Sequence, residues 1–294
     1  FFFEHEKANH RMVLADSLQA HSPVPDFGSL PYLPPSPARR SRAHVHDFGA
    51  AKSVVAAKYA HTDYFFTQPA ARQATDASAP QAHGKNSLEV YDYPGNYAYL
   101  GTGEGKRLAE RRLEALQVPY ATFRGVAQSR SVTCGTLLTL TDHPRDDFNA
   151  EYLVTGTVCD ITLGGYSSGS GGFSMDVTFD GIESSRPFRQ PRKTPKPKIY
   201  GPHTAQVVGP SGEEIHTDEH GRVLVQFHWD RLGNKDEKSS VWIRVSQPWA
   251  GEAWGAVALP RIGQEVIVEF LEGDPDWPVI TGRLYNATNK PPYA

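Results

Sequence analysis

From Arg222 to Asp230 the chain alternates. Val223, Val225, Phe227 and Trp229 fall on one parity, and Arg222, Leu224, Gln226, His228 and Asp230 on the other. A period of two built from β-branched and aromatic residues predicts a strand with one buried face. Val223, Val225, Phe227 and Trp229 are therefore expected in a core. The alternation returns at Val241, Ile243 and Val245, and again at Val266, Val268 and Phe270, which join that core. Residues 204–208 and 279–284 supply two shorter strands. Turn chemistry at 209–212, 232–236 and 272–276 separates these runs. Five strands in roughly eighty-five residues predict a small Greek-key barrel of OB-fold size over residues 200–286.

Upstream the pattern is also mostly β. Residues 1–4 and 11–15 read as two short strands around a turn, and 44–66 as strand-like. Longer strands are predicted at 121–129, 136–141, 151–163 and 173–182, with GGYSSGSGG at 164–172 as a flexible hairpin connection. Six prolines between residues 22 and 37 forbid a central strand there. Residues 68–86 hold few large apolar side chains and read as a long loop. One helix is predicted over 103–118, with Leu108, Ala109, Leu113 and Leu116 on one side. Thr102 is its expected N-cap and Pro119 its stop. The fold class is thus mainly β: a β-barrel region with one long helix over residues 1–185, then a five-stranded OB-fold barrel. Between them lies the basic, Pro-rich linker 186–199. Its RPFRQPRKTPKPK run carries six positive charges and no acid, and is expected to be a solvated, semi-rigid spacer.

Composition and charge narrow the function. A chain of 294 residues can hold two or three cores. No apolar run reaches the roughly 18 residues of a membrane-spanning helix. Cys134 and Cys159 are too few for a disulfide framework, so buried thiols are expected. Phe227, Trp229, Trp242, Trp249 and Trp254 could stack bases, which makes a binding module for carbohydrate or single-stranded nucleic acid the alternative reading. Charge opposes the nucleic-acid version. From residue 200 to 290 there are eight Lys or Arg against thirteen Asp or Glu, the wrong sign for tracking a phosphate backbone.

Candidate chemistry is sparse. His216-Thr-Asp-Glu219-His220 spells H-x-x-E-H, which binds zinc when a helix brings the two imidazoles together. Here it sits in a turn leading into a strand, so a zinc hydrolase is the third alternative and no metal site is predicted. His44 and His46 share one face of a strand but make only half a zinc site. No G-x-S-x-G marks a nucleophile, and Asp146 and Asp147 lie in a turn. Residues 101–106, GTGEGK, precede the helix without matching a dinucleotide or Walker pattern. No catalytic group and no cofactor is predicted, and the chain is not expected to be an enzyme.

The run GPHTAQVVGPSGEEIHTDEHGRVLVQFHWD, followed by SSVWIRVSQPWAGEAWGAVALPRIGQEVIVEFLEGDPDWPVITGRLYNATNKPPY, resembles the VgrG spike proteins of bacterial type VI secretion systems. So do FFFEHEKANHRMVLADS, YDYPGNY at 91–97 and EYLVTG at 151–156. The resemblance implies a phage-tail-like part. Residues 1–185 would be the C-terminal part of a tail-hub-like β-barrel region, and 200–286 a tail-spike-like OB-fold. Residues 287–294 would lead into a β-helical needle. It further implies a homotrimer, with Asn286, Asn289, Pro291, Pro292 and Tyr293 at the junction of trimer and needle. The implied partners are the chain itself, the Hcp tube that it caps, and an effector or tip protein beyond the C-terminus. The target membrane would be pierced rather than bound. The chain would assemble in the cytoplasm and leave through the apparatus, with no signal peptide seen. It begins with Phe rather than Met and reads as a fragment lacking the hub's start and the needle.

Overall fold

The computed structural model describes residues 1–23, 28–36, 42–71, 73–163 and 173–293. The predicted glycine-rich connection at 164–172 lies outside them. The chain divides into two compact units, Phe1–Pro191 and Arg192–Ala294.

In the first unit, β1 (Phe2–His5) and β2 (His10–Val13) form a hairpin. Then come β3 (Ser29–Pro31), β4 (His44–Lys52), β5 (Lys58–His61), β6 (Thr75–Ser78) and β7 (Glu89–Asp92). Helix α1 (Thr102–Gln117) precedes β8 (Ala121–Gln128), β9 (Leu137–Thr141), β10 (Glu151–Leu163) and β11 (Phe173–Glu183). Six of these strands pair in the order β3-β9-β10-β11-β8-β4. The two ends of that sheet meet: Tyr32 bridges Val45. There the Leu33 N–H donates to Val45 O at 2.8 Å, while the Tyr32 N–H continues the ladder to β9 at Thr141 O (2.7 Å). The sheet thereby curls into a barrel, closed at this one bridge among the described residues.

Alternation fills it. Along β8 the odd-numbered residues Ala121 to Ala127 are buried while the even-numbered ones face outward or lie half-buried. Phe48, Phe123, Phe148, Tyr152 and Phe179 are the aromatic members of its core, packed with Leu30, Leu138 and Leu140 among others. Gly125 pairs with Phe179 across β8 and β11, and the Phe179 ring occupies the space that a Cβ at 125 would need. The strand tolerates a glycine here because another side chain fills its place.

A second, three-stranded sheet, β6-β5-β7, packs on α1 through Tyr59, Ala77, Ala109 and Leu113. Two expectations are corrected here. Residues 68–86 are not all loop, since β6 lies within them. It went unseen because Ala77 is the only buried residue of its four, so no apolar run marks it. The helix starts at Thr102 with Gly101 as N-cap and no side-chain cap. Its buried stripe is Gly105, Ala109, Leu113 and Gln117, a strict four-residue spacing, while Leu116 is exposed. The thiol expectation also fails in part. Cys134 is half-buried, its pKa raised by that burial, but Cys159 is exposed on β10.

The second unit holds β12 (His203–Val208), β13 (Leu224–Phe227), β14 (Arg244–Val245), β15 (Trp249–Gly251), β16 (Trp254–Ala256), β17 (Glu265–Phe270) and β18 (Pro278–Leu284). Five strands run in the order β13-β12-β17-β18-β14. Val223 and Ile243 close the ring, each donating its N–H to the other's carbonyl at 3.0 and 2.9 Å. This is the five-stranded OB barrel, centred on Val207, Val225, Val266, Val268 and Ile280. β15 and β16 form a separate exposed hairpin.

The linker is docked at its start, while residues 190–198 are exposed as a solvated spacer would be. Arg186 donates to Gln117 O (2.9 Å) and Ala121 O (3.1 Å), and Arg189 Nε to Glu114 Oε2 (2.7 Å). Phe188 packs beside Leu137, Leu153 and Ile182. Further on, Lys196 Nζ reaches Asp274 (2.6 Å) and Asp276 (2.8 Å), and the Ile199 N–H donates to Gly273 O. Three of its six cations, Arg186, Arg189 and Lys196, thus answer acids or carbonyls distant in sequence.

Candidate functional site

The residues expected in the barrel core divide into three groups. Val223, Val225, Val266 and Val268 are wholly buried. Phe227 and Phe270 are half-buried and pack against that cluster. Trp229 is a correction, with 66% of its surface exposed. The ladder of β13 ends at Phe227, where the Asp230 N–H bonds back to Phe227 O and turns the chain. Beyond that turn the parity no longer points inward. Trp229 stacks on Phe227 instead, with centroids 5.1 Å apart and planes at 13°.

The residues assigned to the junction lie at the end of the barrel. Asn286 Oδ1 accepts the N–H groups of Thr288 (3.0 Å) and Asn289 (2.8 Å), and its Nδ2 donates to Glu265. Asn289 Nδ2 donates to Gly263 O at 3.1 Å. The two asparagines thus knot a turn onto the barrel, and Pro291, Pro292 and Tyr293 leave it exposed.

The H-x-x-E-H run is a turn built around its aspartate. Asp218 Oδ1 accepts the N–H groups of His220 (3.1 Å) and Arg222 (2.9 Å), and Oδ2 takes Arg222 Nε at 2.6 Å. Burial pushes this carboxyl up, but the Arg222 and His220 hydrogen bonds together hold it below its ordinary value. His216 packs on Trp242, centroids 5.1 Å apart, while Glu219 and His220 face solvent. His44 is buried against Arg42 O, and His46 points to Asp176 at 3.4 Å. Among the described residues no group of three or more His, Cys, Asp or Glu is placed to hold a metal. Elemental analysis of purified protein is accordingly expected to find no stoichiometric zinc. One zinc per chain, lost in a His216→Ala/His220→Ala variant, would contradict this turn.

The most connected polar cluster is one that sequence reasoning missed. Asp63 accepts the backbone N–H groups of Tyr97 (2.7 Å) and Ala98 (2.9 Å). The wholly buried Tyr97 ring lies between Gly95 and Gly105, and its hydroxyl bonds to the carbonyls of Gln73 and His61. Buried His61 donates from Nε2 to Gly105 O (2.8 Å), which leaves Nδ1 to accept from Arg112 Nη1 (2.9 Å). The same guanidinium reaches the Tyr59 hydroxyl (2.8 Å) and Gly95 O (3.0 Å). The groups named here meet one another, so the cluster fastens the 91–97 segment to α1, while the buried Gln73 Oε1 beside it has no partner among the described residues.

Its histidine carries a pH dependence. Burial, reinforced by the Arg112 charge, lowers the His61 pKa, although the Gly105 carbonyl opposes this. The folded state then binds fewer protons at this site than the unfolded chain, whose histidine titrates near ~6.5. Its contribution to stability is fully present above that value and is lost as pH falls from there through the lower folded pKa. Urea midpoints at pH 8, 6.5 and 5 should drop over the acid interval, and His61→Gln should reduce the drop. An equal drop in both proteins would remove His61 as its source.

Two exposed apolar features remain. On the distal half of the β10–β11 ribbon, Leu163 pairs with Phe173 and Ile161 with Met175. Leu163, Ile161 and Phe173 are all exposed. On the second unit, Trp249 and Trp254 meet edge to face across the β15–β16 hairpin, and both are more than half exposed.

A family model described as phage tail baseplate hub (GPD) matches residues 1–164, more than half of the sequence. The chain belongs to the phage tail baseplate hub family. A second model, described as the type VI secretion system/phage-baseplate injector OB domain, matches residues 213–285, within the closed five-stranded barrel. The spike protein VgrG1b of Pseudomonas aeruginosa is 44% identical over 295 residues, covering 100% of this chain and 40% of that protein. VgrG1a of the same organism is also 44% identical, covering 100% and 46%. The hub-family chain described here therefore spans less than half the length of these relatives. Among solved structures, the E. coli c3393 protein is described as a type VI secretion component similar to T4 tail proteins gp27 and gp5. It aligns over 87% of this chain and 49% of its own at 19% identity and a TM-score of 0.47. The VgrG resemblance read from the sequence holds, as does the fold class of hub-like barrel, long helix and OB barrel.

Proposed function

We propose that this chain is the hub and OB part of a spike in a type VI-like contractile injection apparatus, and that it works mechanically. The observation that carries this reading is the union, in one chain, of a hub-family region and an injector-type OB barrel. Both barrels are sheets curled back on themselves and packed with β-branched and aromatic side chains, which supports a rigid, load-bearing part. The buried polar cluster joins the 91–97 segment to α1 chiefly through contacts among its own members, which suits a structural role.

In this reading three copies assemble about one axis, with the 286–293 segment at the junction to a needle. The trimer caps a tube of Hcp rings, and contraction drives it through a target membrane with an effector or tip protein beyond. Assembly precedes export, so the chain meets its partners in the cytoplasm. Exposed apolar positions such as Ile161, Leu163, Trp249 and Trp254 suit such protein contacts. Co-sedimentation with purified Hcp rings tests the capping step. The expected result is one trimer per ring, and absence of binding at tens of micromolar would contradict it.

A further inference from the structure

The two large sheets close on themselves, but the three-stranded sheet β6-β5-β7 stays open. Among the described residues nothing pairs with the far side of β7. Leu88 O accepts the Lys58 N–H and Asp92 O the Thr62 N–H, so the even-numbered residues turn their backbone groups toward β5. Backbone direction reverses at each residue of a strand. The N–H and C=O groups of Glu89 and Tyr91 therefore point out of the sheet. All four residues of β7 are exposed, because α1 covers only β5 and β6 through Tyr59 and Ala77.

β7 is short and carries two acids, but other protections of an edge are missing. β7 contains no proline and no lysine, and its register with β5 runs without a bulge. Exposed Leu88, Val90, Tyr91 and Tyr93 line it. Its charges, Glu89 and Asp92, are both acidic, and the cation nearest Glu89 in the register is Lys58 of β5. Asp92 already accepts the Tyr59 hydroxyl at 3.2 Å and lies 3.8 Å from Arg112. Glu89 stands beside Lys58 without a salt bridge to it, so it is the acid more open to a partner's cation.

We propose that β7 is a β-augmentation site that takes an extended, cationic strand from a partner protein. The partner's backbone would pair with Glu89 and Tyr91. Its lysine or arginine heads would meet Glu89, with their stems and charge over the Tyr91 and Tyr93 rings. A second copy of β7 does not fit, since its own acids would oppose these. Edge-to-edge pairing of identical strands also generates a two-fold, whereas the spike requires a three-fold. That last clause rests on the proposed function; the edge geometry and the charge argument do not.

The probe is a fluorescein-labelled seven-residue peptide alternating lysine and valine, followed by anisotropy and by amide exchange on the whole chain. Binding should slow exchange at the Glu89 and Tyr91 amides. Tyr91→Pro removes an outward N–H while sparing the ladder to β5, and should weaken binding at least tenfold with the unfolding midpoint unchanged. Should that variant fail to fold, Glu89→Lys should give a comparable loss. N-methylating alternate peptide residues should abolish binding. Binding that survives N-methylation, a glutamate-valine peptide that binds as tightly, or no protection at Glu89 and Tyr91 would overturn the proposal. If the chain proves not to be trimeric yet these amides are protected, the spike reading fails and the edge site stands.

Discussion

Replacing Phe179 by Ala is expected to destabilise the first unit by about 3–5 kcal/mol, the usual range for removing a buried aromatic ring. Phe179 is 1% exposed, and its ring lies 6.2 Å from that of Phe48 in the middle of the closed barrel. Because Gly125 stands opposite, no neighbouring side chain can slide in to fill the space. The cavity should therefore persist, which puts the variant toward the upper end of the range. A double variant, Phe179→Ala with Gly125→Ala, should recover part of the loss, since the added methyl enters the vacated volume. Chemical denaturation of the three proteins measures both effects. A single variant within 1 kcal/mol of the parent would mean that the ring is not where the barrel places it.

Gly105→Ala should be destabilising, although alanine is the better helix former by about 1 kcal/mol. A Cβ at 105 would come closer than 3.0 Å to the ring of Tyr97, which is itself wholly buried and anchored through its hydroxyl. Overpacking of that kind costs about 1–3 kcal/mol, so the clash outweighs the propensity gain. Gly103 is the internal control. It lies on the same helix with nothing within 4 Å of its would-be Cβ, and Gly103→Ala should be neutral or stabilising by up to about 1 kcal/mol. Calorimetry on the pair should find opposite signs. A shift of the same sign in both would refute the close approach of helix and turn.

These two sites also mark where the sequence stops being readable. Gly105 looked like a feature of a helix start because its constraint, the Tyr97 ring, comes from a different segment. The OB barrel was legible because Val223, Val225, Val266 and Val268 alternate with polar neighbours, and half-buried strands impose that period. Trp229 extended the parity two residues too far, because a backbone hydrogen bond at Phe227, not composition, ends the strand. β6 carried no signal with one buried alanine. The cluster of Asp63, His61, Tyr97 and Arg112 joins four points along fifty residues and has no motif spacing. Likewise the linker's arginines read as solvated because Glu114, the partner of Arg189, lies 75 residues away. Local pattern reports which face is buried, but not which distant group meets it.

The proposed function requires this chain to form a three-fold assembly. Bringing partners together must offset an association cost of roughly 4–15 kcal/mol for each, so the trimer of this chain should depend on concentration. Sedimentation velocity over a series from low micromolar upward reads this directly. The account predicts a monomer–trimer equilibrium, with the trimer fraction rising with concentration and no stable intermediate. A stable dimer or tetramer across that series would contradict it.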